Sequence, residues 1–73
     1  MKLKKNPKPK KLVLGNIIEI AYMYDDCTIH RIDGPAIIMY RKDTKEVLEE
    51  LYYINNKLIK DEFTYWVMIG SMS

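Results

Sequence analysis

The sequence is poor in the residues that build most catalytic and metal sites. A single cysteine, Cys27, excludes a disulfide within the chain, and in so small a domain this favours a reducing cytoplasm. Only three glycines are present, and they form no Gly-rich phosphate loop. One histidine and one cysteine fill a four-ligand zinc site only if Asp25 and Asp26 complete it, so we expect no metal and no cofactor.

Long hydrophobic runs are also missing. The longest apolar stretches, such as residues 37–40 and 65–69, fall far short of the roughly 20 residues that cross a bilayer. The basic N-terminus is not followed by an apolar segment of the signal-peptide type. We therefore expect neither secretion nor membrane insertion.

Charge is divided unevenly along the 73 residues, whose formal net charge is +2. Residues 1–11 carry no acid, whereas residues 12–73 carry 6 basic and 10 acidic residues, a net of −4. Pro7 and Pro9 oppose helix, so residues 1–11 are predicted to form a basic arm, either mobile or laid along a surface, next to a single domain at 12–73. The lysines of the arm are Lys2, Lys4, Lys5, Lys8, Lys10 and Lys11.

Alternating apolar residues and turn signals predict a sheet over residues 12–60. Residues 17–24 are apolar on both faces, which indicates a central strand. Asn55-Asn56 is typical of a type I′ hairpin turn, and residues 25–27 suit a tight turn. The strands are predicted at 12–14, 17–24, 28–31, 36–41, 46–54 and 57–60.

The pattern changes to helical spacing at Asp61, a predicted N-cap. Phe63, Trp66 and Val67 share one helical face, which we expect to pack on the sheet, because so short a helix is unstable alone. The predicted fold class is α+β, a small antiparallel β-meander with one C-terminal helix.

Two stretches carry a resemblance to a known kind of repeat. HRIDGPAIIMY (residues 30–40) and, shortly after it, EELYYINNKLI (residues 49–59) resemble a MORN-like β-hairpin repeat of small phage and bacterial proteins, in one copy over roughly residues 28–60. Leu51 stands where that repeat often has tryptophan, and Asn56 replaces a glycine. The resemblance implies a phage setting and no known enzymatic activity or cofactor. The matching residues are His30, Arg31, Asp33, Gly34, Pro35, Ala36, Asn55 and Lys57.

His30, Arg31 and Asp33 lie close enough in sequence to raise the question of acid–base catalysis. In extended chain, however, His30 and Arg31 point to opposite faces, whereas catalysis needs groups that converge on a pocket. We predict a structural corner: Asp33 caps the turn before Gly34-Pro35, and His30 and Arg31 bond to neighbouring backbone. The protein is therefore not expected to be an enzyme.

Two binding functions remain open. The first is an accessory protein that binds and blocks a host protein, such as a defence component, by docking an acidic face on a basic surface. The second is nucleic-acid binding through the lysine arm, with tyrosines as a stacking platform, although such an arm is often only a solvated tail. Exposed sheet edges also favour a homodimer. The acids that could present this face are Asp25, Asp26, Asp43, Glu46, Glu49, Glu50, Asp61 and Glu62, of which the first six are the predicted partner-binding residues.

Overall fold

The computed structural model describes residues 5–72 and contains one five-stranded antiparallel sheet and one helix. The strands follow one another in the order β1-β2-β3-β4-β5, which is a meander. The predicted α+β class is confirmed. The elements are β1 Pro9–Leu14, β2 Ile17–Tyr22, β3 Ile37–Arg41, β4 Val47–Ile54, β5 Lys57–Ile59 and α1 Glu62–Met72.

Tight turns between consecutive strands fix how those strands pair. Gly15, at φ 62°, supplies the positive angle that a two-residue turn requires at its first central position. Asn55 and Asn56 both have positive φ, 47° and 70°, which confirms the predicted type I′ turn. Cys27, at φ 71°, closes the predicted turn after β2, and its N–H donates to the carbonyl of Tyr24 (2.9 Å).

Two strand predictions differ from the structure. β1 begins at Pro9 instead of residue 12, because Pro9 lies on an edge strand, where its missing N–H breaks no ladder bond. The strand predicted at 28–31 is reduced to a single bridge between Met23 and Ile29. There the chain leaves the sheet to bond β4, because the N–H of Arg31 donates to the carbonyl of Tyr53 (3.1 Å).

The helix packs through a different face from the predicted one. Tyr65 is fully buried and forms the core with Ile54 and Ile59, while Met68 and Ile69 pack against that core. The prediction that Phe63, Trp66 and Val67 pack on the sheet is wrong, because these side chains are 76%, 44% and 53% exposed. Both sides of α1 are apolar, so helical spacing alone does not choose between them.

The sheet is a thin layer that α1 covers only in part. The described chain extends 40 × 27 × 15 Å, and α1 packs at the β5 end of the sheet. No helix among residues 5–72 is long and apolar enough to cross a membrane. The large apolar side chains left exposed on the strands are Leu12, Val13, Leu14, Val47, Leu48 and Leu58.

We predict that the buried hydroxyl of Tyr65 stabilises the fold and that Phe63 does not. Tyr65→Phe leaves the carbonyl of Arg31 without this donor and should lower the free energy of unfolding by about 1–2 kcal/mol. Phe63→Ala should change it by less than about 0.5 kcal/mol, because that ring is exposed. Urea unfolding of the two variants measures both effects. A larger loss for Phe63→Ala would mean that α1 docks through the opposite face.

Candidate functional site

The segment that carries the HRIDGP residues lies between β2 and the β4–β5 hairpin. The N–H of His30 donates to the carbonyl of Tyr22 (3.0 Å), the last residue of β2. The N–H of Arg31, one residue further, donates to the carbonyl of Tyr53 on β4 (3.1 Å). Successive residues thus bond to two strands that are not neighbours in the sheet.

The His30 side chain holds the turn between β4 and β5. Its ring is fully buried, and Nδ1 accepts the N–H of Asn55 (3.0 Å), so that nitrogen carries no proton. The adjacent Asn56 donates its N–H to the carbonyl of Ile29 (2.7 Å), and its side-chain oxygen accepts the N–H of Ile29 (3.3 Å). The histidine and the asparagine turn therefore form one structural unit.

The Arg31 guanidinium is held on three sides. Its Nε donates to Asp33 (2.7 Å), Nη1 donates to the carbonyl of Pro35 (3.0 Å), and the group lies over the ring of Tyr22 (4.1 Å to the centroid). A Cβ on Gly34 would lie 3.0 Å from the guanidinium carbon, so the arginine closes over a glycine. The sequence predicted Asp33 as a cap of the turn, whereas its carboxylate binds Arg31 in the structure.

The helix contributes the last member of this cluster. The hydroxyl of Tyr65 donates to the backbone carbonyl of Arg31, and burial raises the pKa of this tyrosine. The Tyr65 ring also packs on Tyr52 of β4, with centroids 4.6 Å apart. The cluster links β2, β4, the β4–β5 turn and α1 through the two residues at 30 and 31.

The side chains of His30 and Arg31 form hydrogen bonds with backbone groups and with one carboxylate of this chain. His30 accepts a backbone N–H, and Arg31 donates to a carboxylate and a carbonyl within the same turn. Within residues 5–72, no group of three or more His, Cys, Asp or Glu side chains is arranged to hold a metal ion. What this arrangement does chemically is to fix backbone positions, which is the role predicted for a corner.

The acidic residues of the predicted partner-binding face do not lie together. Asp25 and Asp26 lie in the turn after β2, whereas Asp43 and Glu46 lie in the turn between β3 and β4, at the opposite end of the sheet. Asp25 lies 3.9 Å from a lysine Nζ, and Glu46 accepts the Nε–H of Arg41 (3.0 Å). A hydrogen bond from an asparagine side chain lowers the pKa of Asp43.

Glu49 and Glu50 lie on opposite faces of β4, because successive strand residues alternate. Glu50 shares its face with Tyr52, which packs under α1, and Glu49 lies on the other face. Within the described part of the chain, these six acids therefore do not share a single face. Partner binding by any one of these acids stays a prediction.

The described part of the lysine arm lies along the sheet. Pro7 is buried, and the side-chain oxygen of Asn6 accepts the N–H of Ile32 (2.8 Å). The lysine side chains that the structure describes are exposed, and Lys10 lies near Asp25 (3.9 Å). The arm is thus laid on a surface from residue 5 onward, as one of the two predicted alternatives has it. These lysines are Lys5, Lys8, Lys10 and Lys11; Lys2 and Lys4 lie outside the described residues.

The outward side of α1 is apolar and exposed. Phe63, Trp66 and Val67 project from it, and the Trp66 ring meets the edge of Tyr65 with centroids 5.0 Å apart. The side chain of Asp61 accepts the N–H of Thr64 (2.9 Å), so the predicted N-cap is confirmed. The stripe was identified from the sequence, but as buried core. The exposed fractions of its side chains and the buried position of Tyr65 show that it faces outward.

A comparison with protein-family models, with curated proteins and with solved structures found no match. The resemblance to the MORN-like repeat therefore stays an expectation. Its residues do come together in space, because His30 accepts the N–H of Asn55, the first turn residue of the pattern. This contact gives a physical reason for the histidine and the asparagine turn to occur together.

We predict that Gly34→Ala destabilises the protein through Arg31. An added methyl would push the guanidinium a few tenths of an ångström away, which weakens its bonds to Asp33 and Pro35 and should lower the free energy of unfolding by about 1 kcal/mol. In an Arg31→Ala background the same change should be close to neutral, because the space is then empty. A double-mutant cycle by urea unfolding measures this coupling. Equal effects in both backgrounds would assign the role of the glycine to its backbone instead.

We also predict that Asp33 stabilises the fold in a pH-dependent way. The hydrogen bond from Arg31 lowers the pKa of Asp33 from its usual 3.8 in the folded chain. The stabilisation is therefore present above about pH 4 and is lost as the pH falls through the lower, folded pKa. Asp33→Asn should be less stable than the wild type near neutral pH by a fraction of a kcal/mol, because the pair is partly solvated. A stability difference that persists unchanged in acid would contradict this.

Proposed function

We propose that this chain is a small non-catalytic binding protein of phage type, which occupies a surface of a host protein and blocks it in the host cytoplasm. One observation carries the proposal: the outward stripe of α1, formed by Phe63, Trp66 and Val67, is exposed on a helix that is firmly held on its other side. The proposed action requires no chemical step by this chain.

The spacing of the stripe matches a known mode of recognition. Residues i, i+3 and i+4 of a helix enter an apolar groove side by side, and Trp and other aromatic residues dominate the energetics of many interfaces. Phe63 is 76% exposed, which is far more than a ring of the core would be. Tyr65 and the Asp61 cap hold the helix in place before binding, so little conformational entropy is lost when a partner binds.

The charges around the stripe specify the partner further. Glu62 begins α1 and accepts the hydroxyl of Tyr52 (2.6 Å), a bond that raises the pKa of Tyr52 to about 12. Asp61, the N-cap of the helix, precedes Phe63 by two residues. An apolar groove with a basic rim near its entrance would complement this surface. The proposed partner therefore keeps the basic surface expected from the acidity of the body.

Nucleic-acid binding by the lysine arm is the alternative. It is favoured by the exposure of Lys5, Lys8 and Lys11, whose ammonium groups lie on the outside of the chain. It is opposed by Asp25, which lies 3.9 Å from Lys10 and beside the arm. Deleting residues 1–11 does not separate the two functions, since the deletion would also remove half of β1.

We predict that a host protein binds the α1 stripe. In a pull-down from a bacterial lysate treated with nuclease, Val67→Ser should lose the captured protein, and Val47→Ser should keep it. The two valines are a matched pair, each 53% exposed, one on α1 and one on β4. Losing a buried valine at an interface should weaken binding by roughly tenfold, about 1.4 kcal/mol.

Two controls separate the alternatives. Changing Lys5, Lys8 and Lys11 to Gln should leave capture of the protein intact. Recovery of nucleic acid alone, lost in these lysine variants and falling steeply as salt rises, would reject the proposal in favour of the alternative. Equal loss of capture in Val67→Ser and Val47→Ser would mean that the partner does not read the α1 stripe.

A further inference from the structure

β1 forms one edge of the sheet and presents an unusually apolar strand to solvent. Its six residues are all exposed, with Leu12, Val13 and Leu14 at 52%, 50% and 55%. The opposite edge, β5, has only three residues and is packed against α1. An exposed edge strand of this length offers backbone donors and acceptors to another chain.

The outward backbone groups of β1 belong to alternate residues. Leu14 and Ile17 flank the two-residue turn at Gly15 and so form a hydrogen-bonded pair, after which bonded and non-bonded pairs alternate along the ladder. Val13, Lys11 and Pro9 therefore direct their backbone groups to the free edge. Tyr22 supports this assignment. It faces Pro9, yet its N–H donates to Ala36 (2.8 Å) and its carbonyl accepts from His30 (3.0 Å), both away from β1.

We propose that β1 pairs with β1 of a second copy of this chain, antiparallel and centred on Leu12. In this register Lys11 of each copy faces Val13 of the other, and both residues direct their N–H and carbonyl groups outward. Four intermolecular backbone hydrogen bonds result, two for each of the two symmetric pairs. The two sheets then join into one continuous sheet across a two-fold axis.

The other registers are poorer for reasons that the residues themselves supply. Centring on Lys11 sets two lysines opposite each other and pairs Val13 with Pro9, which has no N–H to donate. Centring on Lys10 also opposes two lysines and again pairs with the proline. Centring on Val13 pairs Lys11 with Gly15, which already lies in the turn at φ 62°. Only the Leu12 register pairs Lys11 with Val13, the two outward residues of β1 that each have both an N–H and a carbonyl to offer.

The side chains are compatible with the Leu12 register. Leu12 meets Leu12 of the second copy as a non-hydrogen-bonded pair, where the side chains come closest. Lys10 lies opposite Leu14 of the second copy, and its charge has Asp25 nearby at 3.9 Å. Lysines on an edge strand often prevent such pairing, but here no lysine directly faces another. The pairing covers exposed leucine and leaves the lysine ammonium groups in water.

This dimer is independent of the proposed host partner, because β1 and α1 lie at opposite ends of the strand order. An assembly of this kind would present two α1 stripes, one at each outer end. Val67→Ser, the variant that tests the partner surface, should leave the dimer intact. Failure of one proposal is therefore distinguishable from failure of the other.

Cysteine cross-linking tests the register. In a Cys27→Ser background, Leu12→Cys should form a disulfide-linked dimer under mild oxidation, because the Cα atoms of a non-hydrogen-bonded pair lie about 4.5 Å apart. Val13→Cys and Leu14→Cys are the matched controls, since their equivalents in the second copy lie beyond the roughly 7 Å that a disulfide spans. Equal cross-linking of all three variants would reflect random collision and overturn the proposal.

The mass in solution tests the interface without cysteine. Light scattering at high micromolar concentration should give twice the 8.7 kDa of one chain for the wild type. Val13→Pro should give the mass of one chain, because it removes an outward N–H and no bond between β1 and β2. A one-chain mass for the wild type would reject the proposed interface at β1. A dimer that survives Val13→Pro with an unchanged melting curve would reject it as well.

Discussion

The backbone at residues 30 and 31 is the point on which the rest of the structure depends. The carbonyl of Arg31 accepts the hydroxyl of Tyr65, its N–H donates to Tyr53 (3.1 Å), and His30 holds the turn at Asn55 (3.0 Å). An isolated helix of 11 residues is marginal in water, so α1 depends on this attachment. The same contacts also keep the β4–β5 hairpin against the segment that follows β2.

This attachment explains why a 73-residue chain without a disulfide folds around so small a core. The fully buried side chains of greatest volume are Tyr65 and His30, an aromatic and a histidine instead of two aliphatic residues. Each fills space and also satisfies a backbone group that would otherwise be buried without a partner. Net stability of a domain this size is only roughly 3–5 kcal/mol, so losing one such bond is a large fraction of the total.

The meander and its turns could be predicted from sequence because they depend on local chemistry. Asn55-Asn56 favours positive φ wherever it occurs, and the alternation in β2 needs no distant partner to be recognised. The packing face of α1 could not be predicted, because both sides of the helix are apolar and the choice depends on a bond from Tyr65 to Arg31, 34 residues away. The separation of the acids could not be predicted either. Asp25 and Asp43 lie at opposite ends of the sheet because β2 pairs with β3, and amino-acid composition does not reveal this pairing.

A single sheet with one helix at its end leaves much apolar surface in contact with water, and two parts of that surface lie far apart. The α1 stripe lies beside the cluster that holds the helix, whereas Leu12 to Leu14 lie on the far edge. The two surfaces differ in kind, because one offers side chains at helical spacing and the other offers backbone groups at strand spacing. A helix stripe suits a grooved partner of different sequence, and a strand edge suits an identical strand. The proposed self-association and the proposed recognition of another protein therefore use separate surfaces, and neither would require the other to be vacated.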